Sequence, residues 1–405
     1  MTGEFLLRKT DALDDYLRSF DDLFGRSESR EHFRRFARGQ LGTLERKSLE
    51  PMADAEGVKP RALQLFFSQA EWDHDGARDR LQGKIAGNYG SEQGVFLIDE
   101  TSDAKKGEWT AGVARQYCGE SGKIDNCIVT VHLAYAQGDF HALLDGELFL
   151  PECWNPDPND VLISRKRKRA EIPDRVVHEG KAGMALIQLE RAVRNGMPGR
   201  WVCADEGYGG KPWWRWAVAG LKLQYVVEVP KNTMGWTGKA RPDHGKMRPG
   251  RTVEGVLEVN LRRKKWERFC THDTEKGPDV WEVKAARFWE QGKHAPELAQ
   301  WLIVARNVRT QEVKYFLSNA PEDTLLRTLV RVAFSRWHVE RCFQDCKTEL
   351  GLNHAEIRSY KGMQRHLTLT AVNYYFLQDE VQQSRKKKNG GVDREPVGGC
   401  VTDAA

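Results

Sequence analysis

The stretch Val95-Phe-Leu-Ile-Asp-Glu-Thr101 is a short apolar run that ends on acidic residues. Four consecutive apolar residues of this kind are typical of a buried strand. The same pattern returns in Trp201-Val-Cys-Ala-Asp205, which is followed by a turn rich in glycine. The two runs predict an α/β fold with Asp99 and Asp205 at the ends of core strands. Such strand ends open onto the ligand crevices of α/β sheets.

A third acidic residue, Glu340, lies within Arg336-Trp-His-Val-Glu-Arg-Cys-Phe-Gln-Asp-Cys-Lys347. This segment lacks Gly and Pro and repeats apolar residues at helical spacing, so it predicts a helix that ends at Gly351. At about 100° per residue, Arg336, Glu340 and Lys347 share one polar face. On spacing alone, a solvated and salt-bridged surface helix is the commoner explanation, and both interpretations stay open here.

Three carboxylates in such a set suit phosphodiester chemistry assisted by two metal ions. Mg²⁺ prefers oxygen ligands and takes few of them from the protein. Two ions about 4 Å apart can activate an attacking hydroxyl and stabilise the leaving oxygen. Asp99 and Asp205 also have a simpler explanation as helix N-caps or turn residues, and Asp103 and Glu206 stand close by as alternatives.

Composition narrows the class of protein. The 405 residues include 63 basic and 58 acidic ones, a net charge of +5, so any nucleic-acid binding depends on local patches. The eight cysteines form no CxxC pair, which argues against a zinc ribbon and a disulfide scaffold. His338, Cys342 and Cys346 have zinc-like spacing, but the flank of a buried helix is the favoured explanation. No signal peptide or long apolar run is present, which predicts a cytoplasmic protein without a membrane span.

Further predictions follow the order of the chain. Residues 1–90 should be helical, and two short helices at 48–56 and 60–69 have a helix-turn-helix-like spacing that predicts DNA contact. The other predicted elements are strands at 128–136 and 140–150, a helix at 181–195, a strand at 223–229, β-like runs at 252–259, 280–288, 302–307 and 313–317, and helices from 321 to 377. After Gln378 the chain is polar and predicts a disordered basic tail.

Five sequence blocks together resemble the DDE transposases of bacterial insertion sequences, closest to the insertion-sequence-four superfamily and its seven-hundred-and-one-like group. The blocks are Leu97-Ile-Asp-Glu-Thr101 with Lys105-Lys106-Gly107, Gly112-Val-Ala-Arg-Gln-Tyr-Cys-Gly119 with Gly122-Lys-Ile-Asp-Asn-Cys127, Leu150-Pro-Glu-Cys-Trp154, Ala204-Asp-Glu-Gly-Tyr-Gly209 and Glu340-Arg-Cys-Phe-Gln-Asp-Cys-Lys-Thr-Glu-Leu-Gly351. The resemblance extends over about residues 10–377, and it is specific only as a set.

This resemblance implies an RNase H-like mixed-sheet catalytic core, interrupted by a β-rich insertion and preceded by a helical DNA-binding domain. The corresponding bounds are 1–90 for the DNA-binding domain, 91–230 and 319–377 for the core, 231–318 for the insertion and 378–405 for the tail. It implies Asp99, Asp205 and Glu340 as catalytic ligands of two Mg²⁺ ions, for which Mn²⁺ can substitute. It also implies cleavage and strand transfer of double-stranded DNA at terminal inverted repeats, by a homodimer associated with the bacterial nucleoid.

The superfamily signature is Tyr, two residues, Arg, three residues, Glu, six residues, Lys. Arg336, Glu340 and Lys347 match it, whereas Ala333 replaces the Tyr. Residues expected to contact DNA are Arg336, Lys347, Lys105, Lys106, Arg115, Tyr117, Arg165, Lys166, Arg167 and Lys168. The run 165–169 is equally explained as a solvated loop. In relatives a Trp of the insertion stabilises a flipped base, and the candidates here are Trp236, Trp266, Trp281 and Trp289.

Two other functions remain open. A regulator that binds DNA without cutting it is favoured by Ala333 and disfavoured by the presence of all three acidic residues. A host nuclease would use the same core without strand transfer. Cleavage of DNA on addition of Mg²⁺ distinguishes a transposase from the regulator. Joined DNA products distinguish a transposase from the nuclease.

Overall fold

A large mixed β-sheet carries the structure. The computed structural model describes residues 10–388, apart from 239–241, 244–245, 248, 275–276 and 293–298. The strands in this part of the chain are β1 (Val95–Ala104), β2 (Ala114–Cys118), β3 (Lys123–Gln137), β4 (Phe140–Leu148), β5 (Trp201–Ala204), β6 (Gln224–Glu228), β7 (Met234–Trp236), β8 (Pro242–Asp243), β9 (Lys246–Met247), β10 (Arg251–Thr252), β11 (Glu267–Thr274), β12 (Gly277–Glu290), β13 (Gln300–Asn307) and β14 (Val313–Ser318).

Helices precede the sheet, connect its strands and close the chain. They are α1 (Thr10–Arg18), α2 (Ser27–Leu41), α3 (Leu49–Ala55), α4 (Pro60–Ser68), α5 (His74–Tyr89), α6 (Val161–Arg169), α7 (Lys181–Arg194), α8 (Glu206–Gly209), α9 (Pro212–Gly220), α10 (Val253–Val259), α11 (Leu326–Ala333), α12 (Trp337–Leu350) and α13 (Tyr360–Lys388). Short 3₁₀ turns lie at Asp21–Leu23, Glu152–Trp154 and Leu352–His354. No helix among the described residues is both long enough and apolar enough to cross a lipid bilayer.

The central strands lie in the order β4-β3-β1-β5-β6. Strands β1, β5 and β6 are parallel, and β3 is antiparallel to β1 and to β4. The sheet continues beyond β6 through antiparallel β14, β13 and β12 to β7 and β10. Most strands of residues 231–318 therefore extend the central sheet, and only β8 and β9 form a separate described pair.

The amino-terminal helices pack against α13 through a shared core and buried polar contacts. One apolar cluster includes residues from Leu13 to Leu377. The fully buried Gln40 side chain of α2 donates to the Leu350 carbonyl at 3.1 Å and to the Thr370 hydroxyl at 3.0 Å, and it accepts from Asn373 at 2.8 Å. Burial of a polar side chain is tolerated when its hydrogen bonds are made. These bonds join α2 directly to α13 and to the end of α12.

Most predicted elements are confirmed within a few residues. The hairpin β3–β4 turns at Gly138, whose φ of +56° is easily adopted without a side chain. Helix α12 ends as predicted, since Gly351 has the left-handed φ and ψ of 66° and 40° and donates its N–H to the Cys346 carbonyl. The apolar side of that helix faces the core, and Val339, Cys346 and Leu350 are fully buried.

Three local predictions were wrong. Residues 253–259 form helix α10 and not a strand, because the Thr252 hydroxyl caps the Gly255 N–H at 3.0 Å and Val253 and Val256 are buried at helical spacing. The basic run at 165–169 belongs to helix α6 and is not a loop. Residues 378–388 continue α13, since their sequence favours helix and Asp379 accepts a hydrogen bond from Tyr89 at 2.6 Å. The rest of the predicted tail, 389–405, lies outside the described residues.

Arg365 offers a test of how firmly α13 holds the amino-terminal helices. Its buried guanidinium donates to the carbonyls of Phe66, Phe67 and Ala70 at 3.1, 3.0 and 2.6 Å. Arg365→Met removes these three hydrogen bonds, although the Phe66 carbonyl keeps the Trp72 indole N–H as a donor at 3.4 Å. We expect the free energy of unfolding to fall by about 3 kcal/mol in urea denaturation. Arg385→Met, in the exposed part of the same helix, should cost less than about 0.5 kcal/mol. Equal losses would contradict this account.

Candidate active site

Asp99 and Asp205 lie side by side because their strands are paired in parallel. The register of β1 and β5 aligns Val95 with Trp201 and ends with Ile98 beside Ala204. Asp99 and Asp205 are therefore the next residues on two strands that lie about 4.8 Å apart. Asp205 follows the end of β5, as predicted. Asp99 does not end its strand, since β1 continues to Ala104 along its antiparallel partner β3, but it lies where the parallel pairing stops.

Backbone N–H groups orient both carboxylates. Asp99 Oδ1 accepts a hydrogen bond from the Glu100 N–H at 2.8 Å. Asp205 Oδ1 accepts from the N–H groups of Gly207 and Tyr208 at 2.9 and 3.4 Å, which makes it the N-cap of the short helix α8. The simpler explanation of Asp205 as a helix cap is thus correct and does not exclude a role in the site, because both bonds use only one carboxylate oxygen.

Glu340 reaches the same site from the first turn of α12. Arg336, at the N-cap of that helix, connects it to the sheet: one guanidinium nitrogen lies 2.6 Å from Asp99 Oδ2 and the other 2.7 Å from Glu340 Oε1. The Glu340 side chain is 54% exposed, whereas that of Asp99 is 13% exposed. The helix therefore presents its acidic residue to solvent beside a mostly buried one.

The protonation of Asp99 shows how the three acidic residues interact. Burial raises the pKa of the Asp99 carboxyl to about 6, and the negative charges of Asp205 and Glu340 act in the same direction. The Arg336 guanidinium and the Glu100 N–H oppose this rise. All three acidic residues thus share one electrostatic environment, as expected for a joint site.

These residues fit a divalent cation in donor type. Carboxylate oxygens are the ligands preferred by Mg²⁺ and Mn²⁺. In the described part of the chain, however, no three acidic, His or Cys side chains are arranged as a ready metal-binding group. Arg336 instead holds two of the three carboxylates. A cation bound to Asp99 Oδ2 would therefore lie directly beside the Arg336 guanidinium.

Lys347 and the Lys105-Lys106 pair lie near the far end of β1. Lys347, two helical turns beyond Glu340, donates to the Ser102 carbonyl at 3.4 Å. Lys105 is half-buried, forms an ion pair with Asp103 and donates to the Ala355 carbonyl at 3.2 Å. Lys106 is exposed. Of the two neighbouring lysines, Lys106 is therefore better placed to meet a phosphate.

The basic helix α6 places its predicted DNA-binding residues on different sides. Arg165 and Lys168 are exposed, and Lys166 lies 3.7 Å from Glu108. Arg167 is 4% exposed and donates to the carbonyls of Trp154, Pro173 and Val176, so it supports the local fold and cannot contact DNA from that position.

Two further residues predicted to contact DNA are exposed, and so is a pair of arginines on α6 whose shared contact was not predicted. Arg115 and Tyr117 are exposed on the edge strand β2. Sequence reasoning missed that Arg165 and Arg169, four residues apart on α6, both lie over the Trp109 ring, at 5.8 and 4.6 Å. The helical spacing of the two arginines was the available signal.

Sequence reasoning also missed a group behind the acidic residues. Glu100 accepts hydrogen bonds from Lys181 Nζ at 2.6 Å and from the Tyr208 hydroxyl at 3.4 Å. Burial raises the pKa of the Tyr208 phenol, so it remains a donor. The group ties β1 to α7 and to α8, which Asp205 caps. The sequence did contain a signal for this group, because Glu100 directly follows Asp99 and Tyr208 lies three residues after Asp205.

The remaining candidates have varied surroundings. Trp281 is buried against Phe334, with ring centres 4.7 Å apart, and Trp266 lies under the cations of Lys284 and Arg306. Trp236 and Trp289 face each other in the β7–β12 pairing.

Ala333, at the position of the signature Tyr, is buried at the end of α11. Cys342 and Cys346 are also fully buried, as expected for the flank of a core helix.

Comparison with known proteins identifies the class that this site defines. The family model of the DDE superfamily endonucleases matches residues 19–294, more than half of the chain, and the chain belongs to that superfamily. The match includes Asp99 and Asp205 and ends before Glu340. This superfamily works with divalent metal ions, in agreement with the donor set of the site.

A more specific similarity covers nearly the whole chain. The probable transposase for insertion sequence element IS701 of Microchaete diplosiphon is 26% identical over 357 residues, which span 87% of this chain and 83% of the relative. The resemblance drawn from the sequence blocks is thereby confirmed.

The raised pKa of Asp99 predicts a pH-dependent stability. Between pH 4 and about 6 the folded protein retains a proton that an unfolded Asp, with its pKa near 3.8, has released. The unfolded state then binds fewer protons, so the free energy of unfolding falls as pH rises through this window. Asp99→Asn removes this dependence. In urea denaturation with EDTA, the free energy of unfolding of the variant, relative to that of wild type, should rise by roughly 1–3 kcal/mol from pH 4 to pH 7. Parallel curves would refute the assignment.

Proposed function

We propose that the protein is a transposase that cleaves DNA and transfers strands at the terminal inverted repeats of an insertion sequence, with Mg²⁺ as its cofactor. The observation that carries the proposal is that Asp99 lies next to Asp205 on two paired parallel strands and that Arg336 contacts both Asp99 and Glu340. The superfamily match and the insertion-sequence relative support the same conclusion.

In this proposal Asp99, Asp205 and Glu340 hold two Mg²⁺ ions, and Mn²⁺ can take their place. The ions would supply activation of the attacking oxygen and stabilisation of the leaving oxygen. The protein supplies position: the backbone N–H bonds fix Asp99 and Asp205, and the Glu100–Lys181–Tyr208 group holds the elements that carry them. Lys347 and Arg336 would bind phosphates beside the scissile bond, where charge-assisted hydrogen bonds are strong.

The strand order supports an RNase H-like core formed by residues 91–230 and 319–377. Its five strands lie in the order β4-β3-β1-β5-β6, with one antiparallel member next to β1, and the two aspartates follow one another's register on β1 and β5. We assign residues 231–318 as an insertion, since the chain leaves the core after β6 and returns at α11, which packs near β5 and β6.

Several surfaces of the protein could bind the DNA. The exposed residues of α4 include Arg61 and Gln64, and the turn before that helix carries Lys59. We assign residues 1–90 to recognition of the inverted repeats on this basis. Arg165, Lys168, Arg115 and Lys106 are exposed cations for the DNA backbone. Two protomers would pair two ends of the element, one DNA end per active site.

Substitution of Glu340 tests the catalytic assignment. Glu340→Gln keeps the shape of the side chain and removes the charge that a metal requires. We expect cleavage of duplexes that carry the terminal repeats to fall by at least about 10²-fold in Mg²⁺, because several kcal/mol of transition-state stabilisation depend on the metal site. DNA affinity should change little. Glu349→Gln, in the last turn of the same helix, is the control and should cleave normally.

Product analysis distinguishes the alternatives. A transposase yields joined products in which the 3′ end of the element is linked to target DNA. A nuclease with the same core yields nicks or breaks without joining. A protein that binds the repeats and cuts none of them in Mg²⁺ would overturn the proposal in favour of a regulator, for which Ala333 in place of the signature Tyr is the favouring observation.

The charges of α6 predict a salt effect on DNA binding. Each phosphate contact contributes about 0.9 to the slope of log affinity against log salt concentration. Arg165→Gln should lower that slope by about one unit and weaken binding to all duplexes similarly, since backbone contacts do not depend on sequence. Arg385→Gln removes an equally charged, exposed side chain on α13 that is paired with Asp139, and it should leave the slope unchanged. An unchanged slope for Arg165→Gln would exclude α6 from the interface.

A further inference from the structure

Arg336 makes two ion pairs to the very residues proposed as metal ligands. Its Nη1 lies 2.6 Å from Asp99 Oδ2, and its Nη2 lies 2.7 Å from Glu340 Oε1. The guanidinium thus joins strand β1 to helix α12 across the site. Arg336 is 27% exposed, so one side of it is accessible from solvent.

Both oxygens of the Asp99 carboxylate already have a hydrogen-bonding partner, which limits how a cation can bind there. The other oxygen of Asp99, Oδ1, accepts the Glu100 N–H at 2.8 Å. A divalent ion that binds Asp99 through Oδ2 therefore takes the oxygen that Arg336 holds. In a partly desolvated site, a divalent ion and a guanidinium on the same carboxylate oxygen repel each other strongly. The ion and the guanidinium are competitors.

We propose that Arg336 couples the two binding events of this enzyme: the metal displaces its guanidinium from Asp99 and Glu340, and the released guanidinium then binds a DNA phosphate. The inference rests on the proposed metal site and goes beyond it, since it assigns one residue two successive partners. A planar guanidinium suits both, because carboxylate and phosphate accept the same pair of parallel N–H donors.

Lys347 is the contrasting cation on the same helix face. It donates to the Ser102 carbonyl at 3.4 Å, a group that does not take part in the proposed metal site. Binding of a metal does not compete for that contact. Lys347 therefore provides a control that removes the same unit of positive charge without removing the competition.

Coupling of this kind is reciprocal. If metal binding strengthens DNA binding by some factor, DNA binding must strengthen metal binding by the same factor. Couplings between two sites are typically about 5- to 150-fold. Without the Arg336 guanidinium the metal should bind more tightly on its own, and the benefit that it brings to DNA binding should disappear.

The first measurement is Mn²⁺ binding to the full chain without DNA, by isothermal titration calorimetry. We expect Arg336→Gln to bind Mn²⁺ roughly tenfold more tightly than wild type, and Lys347→Gln to differ by less than about threefold. Arg336→Lys keeps the charge but reaches one carboxylate at a time, and it should lie between wild type and Arg336→Gln. Circular dichroism shows whether each variant is folded. Unchanged or weaker Mn²⁺ binding in both Arg336 variants would overturn the proposal.

The second measurement is affinity for a 30-base-pair duplex without terminal repeats, at constant ionic strength, with and without Mg²⁺. General competition of Mg²⁺ for DNA phosphates acts equally on all variants. Relative to Arg336→Gln, wild type should therefore gain roughly tenfold in DNA affinity when Mg²⁺ is added, and Lys347→Gln should show the same gain from a lower starting affinity. A wild type that responds to Mg²⁺ as Arg336→Gln does would contradict the coupling.

Asp99→Asn separates failure of this inference from failure of the proposed function. If the variant still binds Mn²⁺ like wild type, the metal site itself is wrongly assigned. If it loses Mn²⁺ binding while Arg336→Gln does not tighten it, the metal site stands and only the competition with Arg336 is refuted.

Discussion

The parallel pairing of β1 with β5 is the constraint on which the site depends. It brings Asp99 and Asp205 to adjacent positions and so places two carboxylates next to each other where the pairing of two central strands stops. Burial and mutual repulsion disfavour ionisation, as the raised pKa of Asp99 shows. The backbone N–H groups and the Arg336 guanidinium offset part of this cost. The acidic pair can therefore be held in register without preventing the fold from forming.

The third carboxylate is supplied by an element of a different kind. Helix α12 is anchored by its apolar side, while its first turn carries the half-exposed Glu340. Its N-cap residue Arg336 contacts both the helix and the strand. Since Arg336 and Glu340 are one turn apart, any movement of the guanidinium alters the charge beside Glu340 at once. The helix thus contributes an acid together with the cation that balances it.

Much of the fold and of the site could be predicted from sequence because the determining features are local. Four apolar residues before each Asp, and the regular apolar side of α12, are sufficient to define two core strands and a helix. The end of β1 was not predictable in this way, since its polar part is held by pairing with β3, more than twenty residues away. The burial of Arg167 was not predictable for a similar reason. Its carbonyl partners lie in the turns around α6, so the sequence of the helix itself does not indicate them. Helix α10 was mistaken for a strand because its valines favour strand over helix, whereas the N-cap by the Thr252 hydroxyl favours the helix.

The buried bonds of Gln40 have a geometric consequence for DNA recognition. They join α2 to α13 and to the last residue of α12, so the amino-terminal helices and the helix of Glu340 belong to one packed unit. If the amino-terminal helices bind a DNA end as proposed, the distance from bound sequence to cut phosphate is set by the protein. Each base pair inserted between the two would rotate the scissile phosphate by roughly 34–36° about the duplex axis, given 10–10.5 base pairs per turn. In that arrangement the protein would act as a ruler, measuring where along the DNA its own element ends.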